Sequence, residues 1–226
     1  MYFIDMNLIY ILSIILLMNF KLFSLDFKAG AFTMTRLHYS GGGDWYADPS
    51  SIHNLLKFVS KNTNIKTNLA EVVVKIDDDD FSNNNYFYLT GHGNIKLKDK
   101  EKIILREHLL NGAFLHVDDN YGLDKSFRKI IKEIFPEKEL VEIPPSHDIF
   151  NIYYNFPNGL PKIHEHDNQR PQALGLFNNG KLILLYTYES DLGDGWEDPR
   201  VHNVPLYKHE DALKMGTNII IYFLVN

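Results

Sequence analysis

The sequence predicts a three-layer α/β domain, a mostly parallel sheet with helices on both faces. Three observations carry that expectation. Short runs rich in β-branched and aromatic residues alternate with segments of helical periodicity, the pattern of successive strand–helix–strand units. Each of the stronger strand runs ends in a loop of Gly, Asp, Asn or His. No linker or low-complexity stretch divides residues 31–226, so they read as a single domain.

Taken in order, 31–39 (AFTMTRLHY) reads as a strand that enters the glycine loop 41–44. Asp48-Pro49 then looks like a helix N-cap followed by Pro at the first helical position, and Ile52, Leu55, Leu56 and Val59 follow at helical spacing. Residues 72–76 and 86–90 are further strands, the latter running into Gly91-His92-Gly93. Residues 98–110 form a helix closed by Asn111-Gly112, 113–117 a strand entering Asp118-Asp119-Asn120, and 126–135 a helix stopped by Pro136. Five prolines make 140–180 read as irregular. Residues 182–188 (LILLYTY) are a strong strand, and 207–224 a closing helix. The acidic run 77–80 is a solvated loop, since it lacks the glycine and final glutamate of a calcium-binding EF-hand loop.

Composition narrows the function classes. The chain has 226 residues, 45% hydrophobic and 23% charged, with a net charge of −6 and scattered basic residues. A nucleic-acid footprint needs basic residues gathered on one face, so no nucleic-acid partner is expected. Residues 8–18 (LIYILSIILLM) are too short for a comfortable membrane span of about 20 residues but suit a secretory core segment. Residues 1–25 are therefore expected to be a signal peptide or N-terminal anchor able to engage a membrane. The protein is expected to be exported, in the periplasm or anchored in the cell envelope. Asp5 and the lack of Lys or Arg before the run depart from the usual export pattern. The sequence holds no cysteine, which excludes disulfides, thiolate metal sites and a cysteine nucleophile.

In an open α/β sheet, ligands sit beyond the carboxyl ends of the strands. The loops expected there bring Asp44 and Trp45, then Gly91, His92 and Gly93, then Asp118 and Asp119, then Glu189, Asp194, Trp196 and Glu197 to one edge, with Asp191 as a further loop residue beside Glu189. His92, Asp118 and Asp119 are candidates for proton transfer. The others are candidates to line a ligand, with each tryptophan offering a pocket wall and an indole N–H. Residues 161–167 (PKIHEHD) add His164 and His166, whose spacing places both on one side of an extended segment. That pair holds a divalent metal when a further ligand joins, for which Asp118, Asp119, Asp194, Glu197 and His202 are available. The plain alternative is that the two histidines hydrogen-bond loop carbonyls. Two segments, 43–49 (GDWYADP) and 193–199 (GDGWEDP), share the pattern G-D-x-x-x-D-P and contain both tryptophans of the chain. Their Asp-Pro pairs, at Asp48 and Asp198, read as N-caps.

The run YLTGHGNIKLKDKEKIILREHLLNGAFLHVDDNYG at 88–122 resembles the central portion of class I glutamine-amidotransferase-like domains, which share a flavodoxin-like fold, and their trehalose-utilisation-type relatives. RLHYSGGGDWYADP, GLPKIHEHD and YESDLGDGWEDP resemble an uncharacterised bacterial family of that fold, a domain of unknown function often exported and encoded near MoxR-type ATPases and membrane-anchored von Willebrand factor A-type proteins. The resemblance implies the fold and the position of the cleft. It does not extend to glutaminase chemistry, because the elbow that holds the nucleophilic cysteine in amidotransferases reads Val117-Asp118-Asp119-Asn120 here. The expected function is an envelope-associated, non-glutaminase domain that binds a small polar ligand, such as a sugar, a polyol or a cationic group, or a protein partner of an envelope complex. The competing expectation is a metal-dependent hydrolase built on His164, His166 and a carboxylate. A third is an assembly module whose acidic loops are only capped turns.

Overall fold

Strand residues that alternate between two buried faces explain the layering. The computed structural model describes residues 30–226, so the expected signal peptide or anchor at 1–25 lies outside the described residues. Among the described residues, no helix is long and apolar enough to cross a membrane. The elements run β1 (Thr35–Leu37), α1 (Ser51–Asn62), β2 (Val72–Val74), β3 (Tyr86–Leu89), α2 (Asp99–Leu110), β4 (Phe114–Asp118), α3 (Asp124–Ile134), β5 (Val141–Glu142), β6 (Gln172–Asn178), β7 (Lys181–Tyr188), α4 (Leu192–Trp196) and α5 (Leu206–Val225). Along β3, Tyr86 and Tyr88 belong to one core with α1 and α5 residues such as Leu55 and Met215. Phe87 and Leu89 belong to the other, with Leu105 of α2 and Phe127 of α3. The period of two in the strand thus fills two cores at once.

The sheet has seven strands in the order β2-β1-β3-β4-β7-β6-β5. The first five are parallel, and β6 and β5 extend the sheet antiparallel. This is the expected three-layer, flavodoxin-like architecture with an antiparallel edge. Asp118, the last residue of β4, pairs in register with Thr187 of β7. The ends of these two central strands therefore lie side by side.

The structure departs from the sequence expectation at three places. Within the stretch expected to be irregular, β6 forms a hairpin with β7. Its turn residues Asn179 and Gly180 both have positive φ, at 49° and 81°, the backbone that an Asn-Gly hairpin turn needs. Residues 192–196, read as loop, form the short helix α4. Asp48 does not cap α1. The N-cap is Ser50 and it makes no side-chain cap bond. The carboxylate of Glu197 accepts from the Ser50 N–H at 2.7 Å and from its hydroxyl at 2.7 Å.

Candidate metal centre

The segment 161–166 is irregular yet tightly held, because the turn after β7 supplies its partners. Ser190 donates its hydroxyl to the Pro161 carbonyl at 2.7 Å and accepts the Ile163 N–H at 2.9 Å. Lys162 meets the buried Glu189 carboxylate at 2.6 Å, and Lys208 donates to the Ile163 carbonyl at 2.9 Å. Both ends of that turn are left-handed, with φ 57° at Glu189 and 66° at Asp191. Aspartate tolerates that region better than most residues. The reversal at Asp191 sets its carboxylate beneath the two histidines.

The result is a continuous cluster of imidazoles and carboxylates. His166 Nε2 lies 2.6 Å from Asp191 Oδ2. His164 Nδ1 lies 3.5 Å from the same oxygen and 3.3 Å from Asp194 Oδ2. His202 Nδ1 is 3.2 Å from Asp194 Oδ2, and its Nε2 is 3.5 Å from Asp48 Oδ1. Two sets of three emerge, His164/His166/Asp191 and Asp48/Asp194/His202, each with ligand atoms within 4.8 Å of one another. Tyr121 stacks on His166 with ring centroids 5.0 Å apart.

Asp48 reaches this cluster from the far side of the sheet edge because a buried arginine shapes its loop. Arg36, 1% exposed, donates to the carbonyls of Ala47 at 2.7 Å, Trp45 at 3.2 Å and Asp48 at 3.3 Å, while its Nε pairs with Glu71 at 2.8 Å. With φ at 56°, Asp48 turns its side chain inward. Asn120 donates to its Oδ2 at 2.5 Å and is itself fixed by the Thr90 hydroxyl at 2.8 Å. Below the cluster, Asp118 accepts from the Gly193 N–H at 2.7 Å and from the Thr187 hydroxyl.

Burial makes ionisation of most of these carboxyls costly. Asp48, Asp118, Asp191 and Asp194 are all at most 5% exposed. Among the described residues, none of the four forms an ion pair with a Lys or Arg. Burial, with help from Asp191, pushes the Asp118 carboxyl up to about 8. Burial and the neighbouring carboxylates raise Asp194, and burial chiefly raises Asp48. Burial also works against ionised Asp191, but the neighbouring imidazoles of His164 and His166, the latter hydrogen-bonded to it, outweigh burial and hold this carboxyl below its ordinary value. The same bond from Asp191 raises His166. Of the six buried side-chain atoms without a hydrogen-bond partner among the described residues, three belong to this cluster, His164 Nδ1, Asp191 Oδ1 and Asp194 Oδ1. Leaving a buried carboxylate oxygen unpaired costs on the order of 1–3 kcal/mol or more.

Of the residues expected from sequence, the structure brings His164, His166 and Asp194 together, with His202 as one further ligand candidate. It adds Asp48 and Asp191, which sequence reasoning assigned to a cap and to a loop. Other expected residues have different partners. Trp196 is fully buried against Tyr88 and His116 and donates its indole N–H to the Ala212 carbonyl at 2.8 Å, so it walls no open pocket. Glu197 holds the start of α1, and Glu189 pairs with Lys162. Asp119 accepts the N–H groups of Tyr121 and Leu123 at 3.1 and 3.0 Å in the turn before α3. Asp44, Gly91, His92 and Gly93 form a separate turn in which the half-exposed His92 Nδ1 lies 3.1 Å from Asp44 Oδ2. Trp45 stacks on His38 with centroids 4.1 Å apart. A groove of about 490 Å³ between Lys96, Ser126 and Lys129 contains none of the cluster residues.

The model of a family described as a domain of unknown function (DUF4159) matches residues 33–224. No curated protein matches the chain.

Proposed function

This chain belongs to the family of domains of unknown function DUF4159, and from the geometry of its sheet edge we propose that it is a metal-dependent hydrolase. The observation that carries the reading is the pair of buried, unpartnered oxygens, Asp191 Oδ1 and Asp194 Oδ1, beside imidazoles, on carboxylates that pair with no Lys or Arg among the described residues. A divalent cation satisfies them and relieves the repulsion between the carboxylates. Two imidazoles and one carboxylate, His164, His166 and Asp191, form a donor set found in catalytic zinc sites, which keep a further position for water or substrate.

His164, His166 and Asp191 would hold the ion, which would supply a water activated near neutral pH for hydrolysis of an ester, amide or phosphoester. The chain's own contribution is to hold the ligands still, through Glu189–Lys162, Ser190–Pro161 and Lys208–Ile163. Such supporting partners fix ligand orientation. An amidotransferase-like origin of the fold belongs to the same proposal, supported by the mostly parallel sheet and by Asp118-Asp119-Asn120 at the end of its central strand β4. The alternative of a small-ligand site walled by both tryptophans lacks support, since Trp196 lies in the core.

Elemental analysis of protein purified without chelator tests the reading. The expected result is bound divalent metal, its loss in a His164→Ala/His166→Ala double variant, and hydrolysis of p-nitrophenyl ester or phosphate probes in proportion to occupancy. Protein that takes up no zinc, manganese or cobalt while remaining folded would falsify it.

A further inference from the structure

We infer that the centre holds two divalent cations, one on His164, His166 and Asp191, the second on Asp48, Asp194 and His202, with the His164–Asp194 contact joining them. This rests on the proposed metal reading and extends it. Each set supplies three donor atoms within 4.8 Å of one another, so neither needs to borrow from the other. Each also contains its own buried, unpartnered oxygen, Asp191 Oδ1 in the first and Asp194 Oδ1 in the second, on carboxylates 1% and 4% exposed. One ion on the first set satisfies Asp191 and leaves Asp194 unexplained.

The second set has the supports of a built ligand sphere. Asn120 occupies Asp48 Oδ2 and leaves Oδ1 facing His202 at 3.5 Å. Gly193 leaves room for this carboxylate, for a Cβ there would lie 2.5 Å from Asp48 Oδ2. Charge is compatible with this count, since three ionised ligand carboxylates and one hydroxide would balance two divalent ions. His164 Nδ1 stands 3.3 Å from Asp194 and 3.5 Å from Asp191, so the two sets abut. Ions so close act as a clamp on both the attacking and the leaving oxygen of a displacement, at separations of about 3.5–4 Å. They would also supply the positive charge for an anionic substrate, since Lys162 and Lys208 are engaged by Glu189 and the Ile163 carbonyl.

The test uses the full chain loaded with Mn²⁺, freed of excess metal, and measured by elemental analysis and electron paramagnetic resonance. The expected result is two ions per chain with an exchange-coupled spectrum. His202→Ala is expected to retain one ion and to show an uncoupled spectrum. Its side chain is 28% exposed, and a melting curve checks the fold. The wild-type spectrum stands without any variant. A single uncoupled ion in the wild type overturns the second site and leaves the first standing, and an absence of ions overturns both. Two uncoupled ions, with His202→Ala unchanged, place the second ion elsewhere and overturn this assignment.

Discussion

The segments 43–49 and 193–199 carry the same pattern and use it in opposite ways. In the first, the aspartate before proline, Asp48, enters the imidazole–carboxylate cluster, while Asp44 turns away to His92. In the second, the aspartate after glycine, Asp194, enters the cluster, while Asp198 meets Asn54 at 3.2 Å on the surface. Trp45 lies half-buried on His38, and Trp196 is sealed in the core. The backbone makes the difference. Asp48 sits in a left-handed turn wrapped around the Arg36 guanidinium, whereas residues 192–196 wind into α4 and present Asp194 from a helix. The segments also meet, since Glu197 of the second binds Ser50 just beyond the first. A shared string of residue types thus contributes one carboxylate from each segment to the same group of three, Asp48, Asp194 and His202, without being a repeat.

Their leading glycines give the largest contrast. A Cβ at Gly193 would lie 2.5 Å from Asp48 Oδ2 and 2.9 Å from the Tyr88 hydroxyl. One at Gly43 would lie 2.8 Å from the His92 carbonyl and 2.9 Å from that of Asn94. Both substitutions to alanine overpack, and each is expected to cost about 3 kcal/mol in chemical denaturation. Only Gly193→Ala is expected to abolish metal uptake as well, because it displaces Asp48. Equal metal content in the two variants would show that the centre does not depend on the approach of Asp48 to α4.

The layer beneath Trp196 yields the next effect. His116 is fully buried, its ring centroid 5.8 Å from that of Trp196, and its Nε2 lies 3.1 Å from the Thr187 hydroxyl. Burial pulls the imidazole down to about 3. The folded state keeps it neutral, while the unfolded chain protonates near the ordinary histidine value of about 6.5. The unfolded state therefore binds the extra proton, and stability falls as pH drops from about 6.5 toward 3. The loss approaches about 1.4 kcal/mol per pH unit, or roughly 2 kcal/mol by pH 5. His116→Gln is expected to remove that share of the slope in denaturation curves recorded between pH 7 and pH 4. An unchanged slope would mean that the ring gains a proton without unfolding.

How far the sequence reveals this molecule differs between frame and site. The strand and helix alternation is legible because period-two and helical patterns survive in runs such as 86–90 and 98–110. The extension of the sheet is harder to see, since Pro171 and the preceding prolines mask β6. The Asn179-Gly180 pair was the available signal, an Asn-Gly turn between two apolar runs. In the site, H-x-H spacing singles out His164 and His166, and α/β topology singles out Asp194. Asp48 and Asp191 escape because their role depends on positive φ, at 56° and 66°, which residue type does not encode. An Asp-Pro pair also has a simpler meaning as a cap. Trp196 and Glu197 mislead in the opposite direction, since polar neighbours in sequence conceal a buried ring and a helix-capping carboxylate.

The smallest effect falls on the member of the first segment that shares the residue type of Asp194 but not its setting. Asp44 is 35% exposed at its side chain and His92 49%, against 5% for Asp194. Water screens the exposed pair, so its ionic contribution is at most about 1 kcal/mol. Asp44→Asn keeps an oxygen for the His92 N–H and is expected to shift stability by no more than that, with metal content unchanged. Asp194→Asn, by contrast, removes a ligand charge at the junction of the two sets and is expected to release metal. Comparing the two variants by elemental analysis isolates environment from residue identity, because the substitution is the same in both. If Asp44→Asn also empties the centre, the turn holding Gly91, His92 and Gly93 belongs to the site and the boundary drawn between the two segments is misplaced.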